Sequence, residues 1–221
     1  MLTKRFSPSV ITITETFLDA TLPDDAVSIN NYTVTRKDRS SVGGGVLLYI
    51  ANNLKFTRLT DFESDNYEVL WVSVRPSQLP RPLSLLIFAV VYCPPSYKAE
   101  QKKNLAHFLL TSCDALLRKY PDCGVFITGD FNTLDTGLFN KYLHLNQIVT
   151  KATRGNNILD KIFTNCKKWY STPIILPPVG KSDHNVILVR PSSANNERIA
   201  VRSVFTRHMD FYACTDIAAE L

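Results

Sequence analysis

Two residue pairs in this chain could do chemistry on a charged oxygen centre. The first is Asp130 and Asn132 in Val125-Phe126-Ile127-Thr128-Gly129-Asp130-Phe131-Asn132. Val125, Phe126 and Ile127 read as a strand buried on both faces. Gly129 breaks the run and allows a turn or a close approach of backbone to a ligand. If the chain stays extended, Asp130 and Asn132 point to the same side. A carboxylate beside a neutral amide at a strand's end suits a hard cation and a phosphate. The competing reading is an ordinary turn, since Gly, Asp and Asn are turn residues. The second pair is Asp183-His184, preceded by Ser182, in a polar loop before the strand Val186–Val189. Histidine donates to a phosphate oxygen or relays a proton; the alternative is a structural or exposed His.

Three further residues stand at strand ends. Glu15 follows the β-branched strand Val10-Ile11-Thr12-Ile13-Thr14. Alone it reads as a surface Glu; beside Asp130 it supplies a second carboxylate, and Mg²⁺ needs only one or two. Asp160, in Ile158-Leu159-Asp160-Lys161-Ile162, is an acid at the edge of an apolar strand and needs a partner. A histidine suits it, because a carboxylate fixes the imidazole tautomer; a salt bridge is the alternative. Tyr92 closes Val90-Val91-Tyr92-Cys93-Pro94-Pro95, either as a packed aromatic at a sheet rim or as a donor to a phosphate oxygen. There is no Walker A sequence, no Gly-x-Ser-x-Gly and no His-Glu-x-x-His.

The elements that must position these groups are mostly strands. Residues 1–9 predict no clear element. Strands are expected at Val10–Thr14, Tyr32–Thr35, Val46–Ile50 (pairing with a strand near Phe56), Glu68–Val74, Leu83–Tyr92 as the central strand, Asp160–Thr164 and Val186–Val189. Pro173–Pro178 is expected to be extended, Thr133–Gln147 a loop with a helical turn, and Lys167–Tyr170 a basic-aromatic turn. One helix is expected over Ala99–Lys119, where Leu105, Phe108, Leu109, Leu116 and Leu117 recur at helical spacing. Residues 1–191 read as one domain. Residues 192–221 read as a linker or truncated C-terminal extension, with Asp210 capping a short helix that runs to Glu220. Many strands with polar residues at their ends predict a two-sheet α/β domain with a site at one rim.

A chain of 221 residues can bury about 70% of its unfolded surface. The net charge of +5 mildly favours a polyanionic partner. Cys93, Cys113, Cys123, Cys166 and Cys214 show no metal-finger spacing, and their odd number suits reduced thiols and a nuclear or cytoplasmic setting. No apolar run reaches membrane-spanning length, so no membrane partner is expected.

The order of motifs resembles the endonuclease/exonuclease/phosphatase family. It runs Ile13-Thr14-Glu15-Thr16, Gly43-Gly44-Gly45-Val46, Val91-Tyr92-Cys93-Pro94-Pro95, Gly129-Asp130-Phe131-Asn132, Leu159-Asp160, Ser182-Asp183-His184. More narrowly, it is similar to the apurinic-like endonuclease domain of non-LTR retrotransposons. Arg36-Lys37-Asp38-Arg39, the Pro-Pro after Tyr92, and Thr153-Arg154 suit that branch. The likeness covers roughly residues 5–190. It implies a DNase I-like four-layer α/β sandwich, two packed β-sheets flanked by helices. It also implies a Mg²⁺-dependent phosphodiesterase, tolerating Mn²⁺, that nicks DNA as in target-primed retrotransposition and uses no small-molecule cofactor.

The implied roles are as follows. Glu15 holds the metal and Asp183 lies near it. Asp130 orients or deprotonates the attacking water, and Asn132 binds that water or the scissile phosphate. His184, oriented by Asp160, contacts the phosphate, and Tyr92 holds a phosphate oxygen. Thr153 and Ser182 lie near the bound strand. Arg36 and Arg39 serve backbone contacts. The family's domain opens with a strand carrying an Asn and then a helix. Here Met1-Leu2-Thr3-Lys4-Arg5-Phe6 matches only the end of that helix, so the first strand is expected to be missing. Two other readings use the same residues: a catalytically dead truncated fragment that still binds nucleic acid, and a phosphoesterase for small molecules or lipids.

Overall fold

Five successive β-branched residues open the first strand, β1 (Val10–Thr14), and all five are buried. The computed structural model describes residues 2–40, 42–192 and 203–207. A short helix, α1 (Leu2–Phe6), precedes β1; the residue pattern alone predicted no element there, whereas the family resemblance implied the end of a helix. Then follow β2 (Tyr32–Lys37), β3 (Val46–Ala51), β4 (Lys55–Arg58), β5 (Glu68–Arg75) and β6 (Leu85–Tyr92). Next come α2 (Ala99–Lys119), β7 (Cys123–Asp130), α3 (Gly137–Leu143) and β8 (Asn146–Gln147). The chain continues through β9 (Asp160–Thr164), β10 (Ile174–Leu176), β11 (Val186–Val189) and β12 (Ser203–Arg207). Turns of 3₁₀ helix lie at Asp24–Val27, Thr60–Phe62 and Lys167–Trp169.

The strands form two six-stranded sheets. One has the order β10-β11-β12-β1-β3-β2, the other β4-β5-β6-β7-β9-β8. Alternation along each strand divides the core into three layers. Val72, Phe88, Val90 and Phe126 of the second sheet meet Val10, Leu48, Ile50 and Ile187 of the first. On the second sheet's outer face, Trp71, Ile87, Val91 and Ile127 pack under Leu105, Leu109, Cys113 and Leu116 of α2. Those four α2 residues recur at helical spacing, so one stripe of the helix is buried. On the first sheet's outer face, Ile11, Ile13, Leu47 and Tyr49 are covered by Phe6, Leu18, Val27 and Ile29. The result is the expected two-sheet sandwich with helices.

The expected pairing of the third strand with the strand near Phe56 is incorrect. β3 lies between β1 and β2, and β4 pairs with β5 in the other sheet. Both edges of β3 are already taken, so the chain leaves its sheet at the turn after Ala51. The mixed segment over residues 133–147 holds α3 and β8 rather than a loop with one helical turn. The helix expected from Asp210 to Glu220 lies outside the described residues.

Residues 203–207, read from sequence as linker or extension, form β12. It pairs in parallel with β1 from Val10↔Ser203 to Thr14↔Arg207. It also pairs antiparallel with β11 from Ile187↔Phe205 to Val189↔Ser203. A strand between β1 and β11 satisfies backbone groups on both that would otherwise face a gap in the sheet.

Candidate active site

The register of the second sheet places four polar side chains side by side. Glu68 opposes Tyr92, Tyr92 opposes Asp130, and Asp130 opposes Asp160. Each continues the alternation of residues that face the other sheet, so the row closes the inter-sheet core at one rim. Tyr92 and Asp130 are the last residues of β6 and β7, while Glu68 and Asp160 are the first of β5 and β9.

Asp130 is fully buried. Its Oδ1 accepts the Asn132 backbone N–H at 2.9 Å, and its Oδ2 accepts the Asn132 side-chain amide at 2.7 Å. The same amide donates to the Cys93 carbonyl at 2.9 Å. The strand stops at Asp130, and Asn132 takes a φ of 45°, a left-handed conformation that Asn tolerates. The pair thus meets through a side-chain turn rather than by extended geometry. Gly129 has a φ of 132°, and a Cβ there would collide with the Val91 backbone.

His184 is fully buried and its Nδ1 lies 2.6 Å from Asp160 Oδ2. Its Nε2 is 3.9 Å from Asp183 Oδ1. Ser182, 8% exposed, closes this turn: its Oγ accepts the His184 N–H at 3.1 Å and donates to the His184 carbonyl at 3.2 Å. Thr153 is wholly buried, and its Oγ1 accepts the N–H groups of Leu159 and Asp160, each at 3.1 Å. Its carbonyl accepts the Asn185 N–H at 2.8 Å. Thr153 therefore ties the start of β9 to the His184 loop. Both hydroxyls serve the backbone that carries Asp160 and His184.

Glu15 follows β1 and is half-buried, and the Tyr92 hydroxyl donates to its Oε1. Glu15 and Phe17 both have a φ of 55°. Such left-handed residues cost of order 1–3 kcal/mol each and persist where neighbours hold them. Here the Gly45 carbonyl accepts the Thr16 N–H at 3.4 Å, and the Gly44 carbonyl accepts the Phe17 N–H at 2.9 Å.

The two arginines are bonded within the chain. Arg36 donates to Asp24 at 2.6 Å, to Asp38 at 2.7 Å, and to the Leu22 and Asp19 carbonyls. Its donors are spent on the loop over the first sheet. Arg39 donates from Nη1 to Glu68 Oε1 at 2.8 Å and from Nε to the Gly43 carbonyl at 2.9 Å. Both bonds hold the glycine turn.

Two residues at the rim were given no site role from the sequence. Arg154 pairs with Asp183 at 2.5 Å, with the Asp183 side chain 60% exposed. Glu68 is 8% exposed. Burial pushes its carboxyl above the usual range, against the pull of the Gly45 N–H and Arg39. A Glu heading an apolar strand was its only local signal, the same one that picked out Asp160.

Among the described residues no three His, Cys, Asp or Glu side chains stand close enough to hold a metal by themselves. An ion bound by one or two carboxylates, water and phosphate needs no such cluster. The hard oxygen donors of Glu15, Asp130 and Asn132 fit that kind of site.

No family model and no curated protein sequence matches the chain. Solved structures do. The human Nocturnin catalytic domain with bound sulfate aligns at a TM-score of 0.62 and 15% identity, over 86% of this chain and 83% of that one. The 3'-5' exonuclease NExo from Neisseria meningitidis aligns at 0.59 and 13%, over 86% and 92%. The endonuclease domain of TRAS1, a telomere-specific non-LTR retrotransposon, aligns at 0.52 and 12%, over 80% and 95%. The structural neighbours include members of the endonuclease/exonuclease/phosphatase family. At these identities the likeness establishes the fold, the DNase I-like two-sheet sandwich.

Proposed function

We propose that the chain is a Mg²⁺-dependent phosphodiesterase that nicks DNA, as in target-primed retrotransposition. The observation that carries this reading is the rim row itself. Tyr92, Asp130 and Asp160 stand in register, with Glu15 bonded to the first and His184 to the last. The neighbours in fold include a retrotransposon endonuclease domain and NExo, described both as a 3'-5' exonuclease and as a 3' phosphatase bound to a DNA hairpin, which supports phosphoester chemistry on DNA.

In this reading Glu15 would hold Mg²⁺, with Mn²⁺ as a substitute, and Asp183, paired with Arg154 in this structure, would lie near it. When bound, the ion supplies positive charge to the phosphate oxygens as negative charge develops there. Asp130 orients the attacking water and takes its proton; burial without bulk solvent keeps that water in one place. Asn132 fixes the Asp130 carboxylate; both of its amide hydrogens are donated, to Asp130 and to the Cys93 carbonyl. Its carbonyl oxygen is therefore what it offers to the water, and a contact with the phosphate would require the amide to give up one of those bonds. Asp160 holds His184 by Nδ1, so that Nε2 can address a phosphate oxygen; a protonated imidazole donates from both nitrogens. Tyr92 steadies Glu15, and a contact with phosphate would require its hydroxyl to turn away from that carboxylate. Arg154 and Lys181, exposed on the two loops joined by the Asn185–Thr153 bond, supply positive charge for the DNA backbone.

A supercoiled-plasmid nicking assay tests this. Nicking should require Mg²⁺, stop with EDTA, and fall by about 10²–10⁴-fold in Asp130→Ala and in His184→Ala. Nicking that survives EDTA or Asp130→Ala would overturn it. A folded protein that binds DNA without nicking would instead be a catalytically dead binder. Turnover of a phospholipid with none on DNA would make it a lipid phosphoesterase.

A further inference from the structure

Glu68 is the member of the rim row that the proposed chemistry does not use. Its surroundings assign it another task. A carboxylate this buried must be bonded, and both of its oxygens are. Oε1 accepts Arg39 Nη1 at 2.8 Å, and Oε2 accepts the Gly45 N–H. Arg39 then reaches round to the Gly43 carbonyl with Nε at 2.9 Å. One carboxylate and one guanidinium therefore grip both ends of the Gly43–Gly45 turn.

The turn has no room to be anything else. Gly44 and Gly45 take φ of 79° and 88°. A Cβ on Gly44 would lie 2.6 Å from Arg39 Nε, and one on Gly45 would strike the Thr16 hydroxyl. The carbonyls of the same two glycines accept the N–H groups of Thr16 and Phe17. Those bonds bracket the left-handed segment that begins at Glu15. Glu15 sits at a φ that an L residue rarely adopts, so its orientation depends on what holds the residues after it.

We propose that Glu68 is a positioning residue for Glu15: it fixes the glycine turn, and the turn fixes the backbone that aims the Glu15 carboxylate into the rim. The proposal deepens the reading of Glu15 as the metal-holding carboxylate and rests on it for its effect on metal affinity. Its structural half stands on the bonds alone.

The test therefore has two readouts. Amide hydrogen exchange, measured without metal or DNA, should show Thr16 and Phe17 exchanging at least tenfold faster in Glu68→Ala. Amides inside β6 should keep their protection. In the nicking assay the Mg²⁺ concentration for half-maximal rate should rise about tenfold, while kcat at saturating Mg²⁺ changes far less. If Glu68→Ala does not fold, Glu68→Gln and Arg39→Gln read the same amides, each removing one arm of the grip. Unchanged exchange at Thr16 and Phe17 in a folded variant would overturn the proposal. So would uniform acceleration through β6, since that reports general loosening. A wild-type protein that never nicks, but whose Thr16 and Phe17 amides open in the variant, removes the nuclease reading and leaves the positioning role of Glu68 standing.

Discussion

Thr153 does more at the rim than its residue type announces. One hydroxyl oxygen accepts two backbone N–H groups, one of them on the very residue that holds His184. Removing it leaves two buried donors without a partner, at about 1–3 kcal/mol for each that water cannot reach. Thr153→Ala should lower the thermal midpoint by several degrees and reduce nicking, whereas Thr153→Ser, which keeps the oxygen, should restore both. A melt and a nicking assay on the two variants check this; an Ala variant as stable as the Ser variant would refute the role. From sequence, Thr153 read as a hydroxyl near the bound strand. Its use is set by a loop that folds back from Asn157 to Thr153, and no local pattern encodes that return. Arg36 and Arg39 teach the same lesson. Their charge was legible, but the acids that claim it lie at Asp24, Asp38 and Glu68.

At the scale of elements, the site depends on where strands stop. β7 carries Val125 and Ile127 into one layer and Phe126 into the other, then delivers Asp130 to the rim. Gly129 makes this possible. Its φ of 132° and its contact with the Val91 backbone exclude a side chain. Gly129→Ala should destabilise the domain more severely than Ala at an exposed strand position such as Thr57, because the strand pair β6–β7 would have to part; equilibrium denaturation of both variants decides it. β12 matters in another way. It lies between β1 and β11 and pairs with both. A chain ending at Ser192 should lose this strand, expose the edges of β1 and β11, and either aggregate or melt less cooperatively than the full chain. Identical melts would show that β12 adds nothing to the sheet.

The molecule as a whole is built on two sheets with three apolar layers, and its described cysteines lie inside them. Cys93, Cys113, Cys123 and Cys166 are free and buried. Burial pushes the thiols of Cys93 and Cys123 up to about 11, and those of Cys113 and Cys166 up to about 12. The reactive species is the thiolate, and its population falls as the pKa rises. At pH 8 a thiol at 11 is ionised to roughly one part in 10³, against about a quarter for an ordinary one near 8.5. In a Cys214→Ser background, a disulfide reagent at pH 8 should leave the folded protein unlabelled and modify four thiols on denaturation. Any labelling of the native protein should keep rising with pH, about tenfold per unit, and level off only near 11 rather than near 8.5. Rapid labelling of the native protein at pH 8 would contradict this packing. Among the described residues, no helix is long and apolar enough to cross a membrane.

Local chemistry made much of this readable in advance. The limits of α2 follow from helical spacing and from Pro121 beyond its end; β1, β9 and β11 follow from short β-branched or apolar runs. Asp130, Asn132, Asp160 and His184 were visible because acids, amides and histidines at the ends of apolar strands need a reason to be there. These features are carried by neighbours in sequence, so sequence alone determined them. Which sheet receives β4, the slot that takes β12, the grip of Glu68 on the glycine turn and the bond from Tyr92 to Glu15 join residues far apart in the chain. Only the tertiary structure decided them, because register between strands and the return of loops depend on how whole sheets pack. The Asp130 stretch shows the division well: its residues announced a metal and phosphate site or a turn, and the structure makes Asp130 and Asn132 a side-chain turn that sits in the rim row.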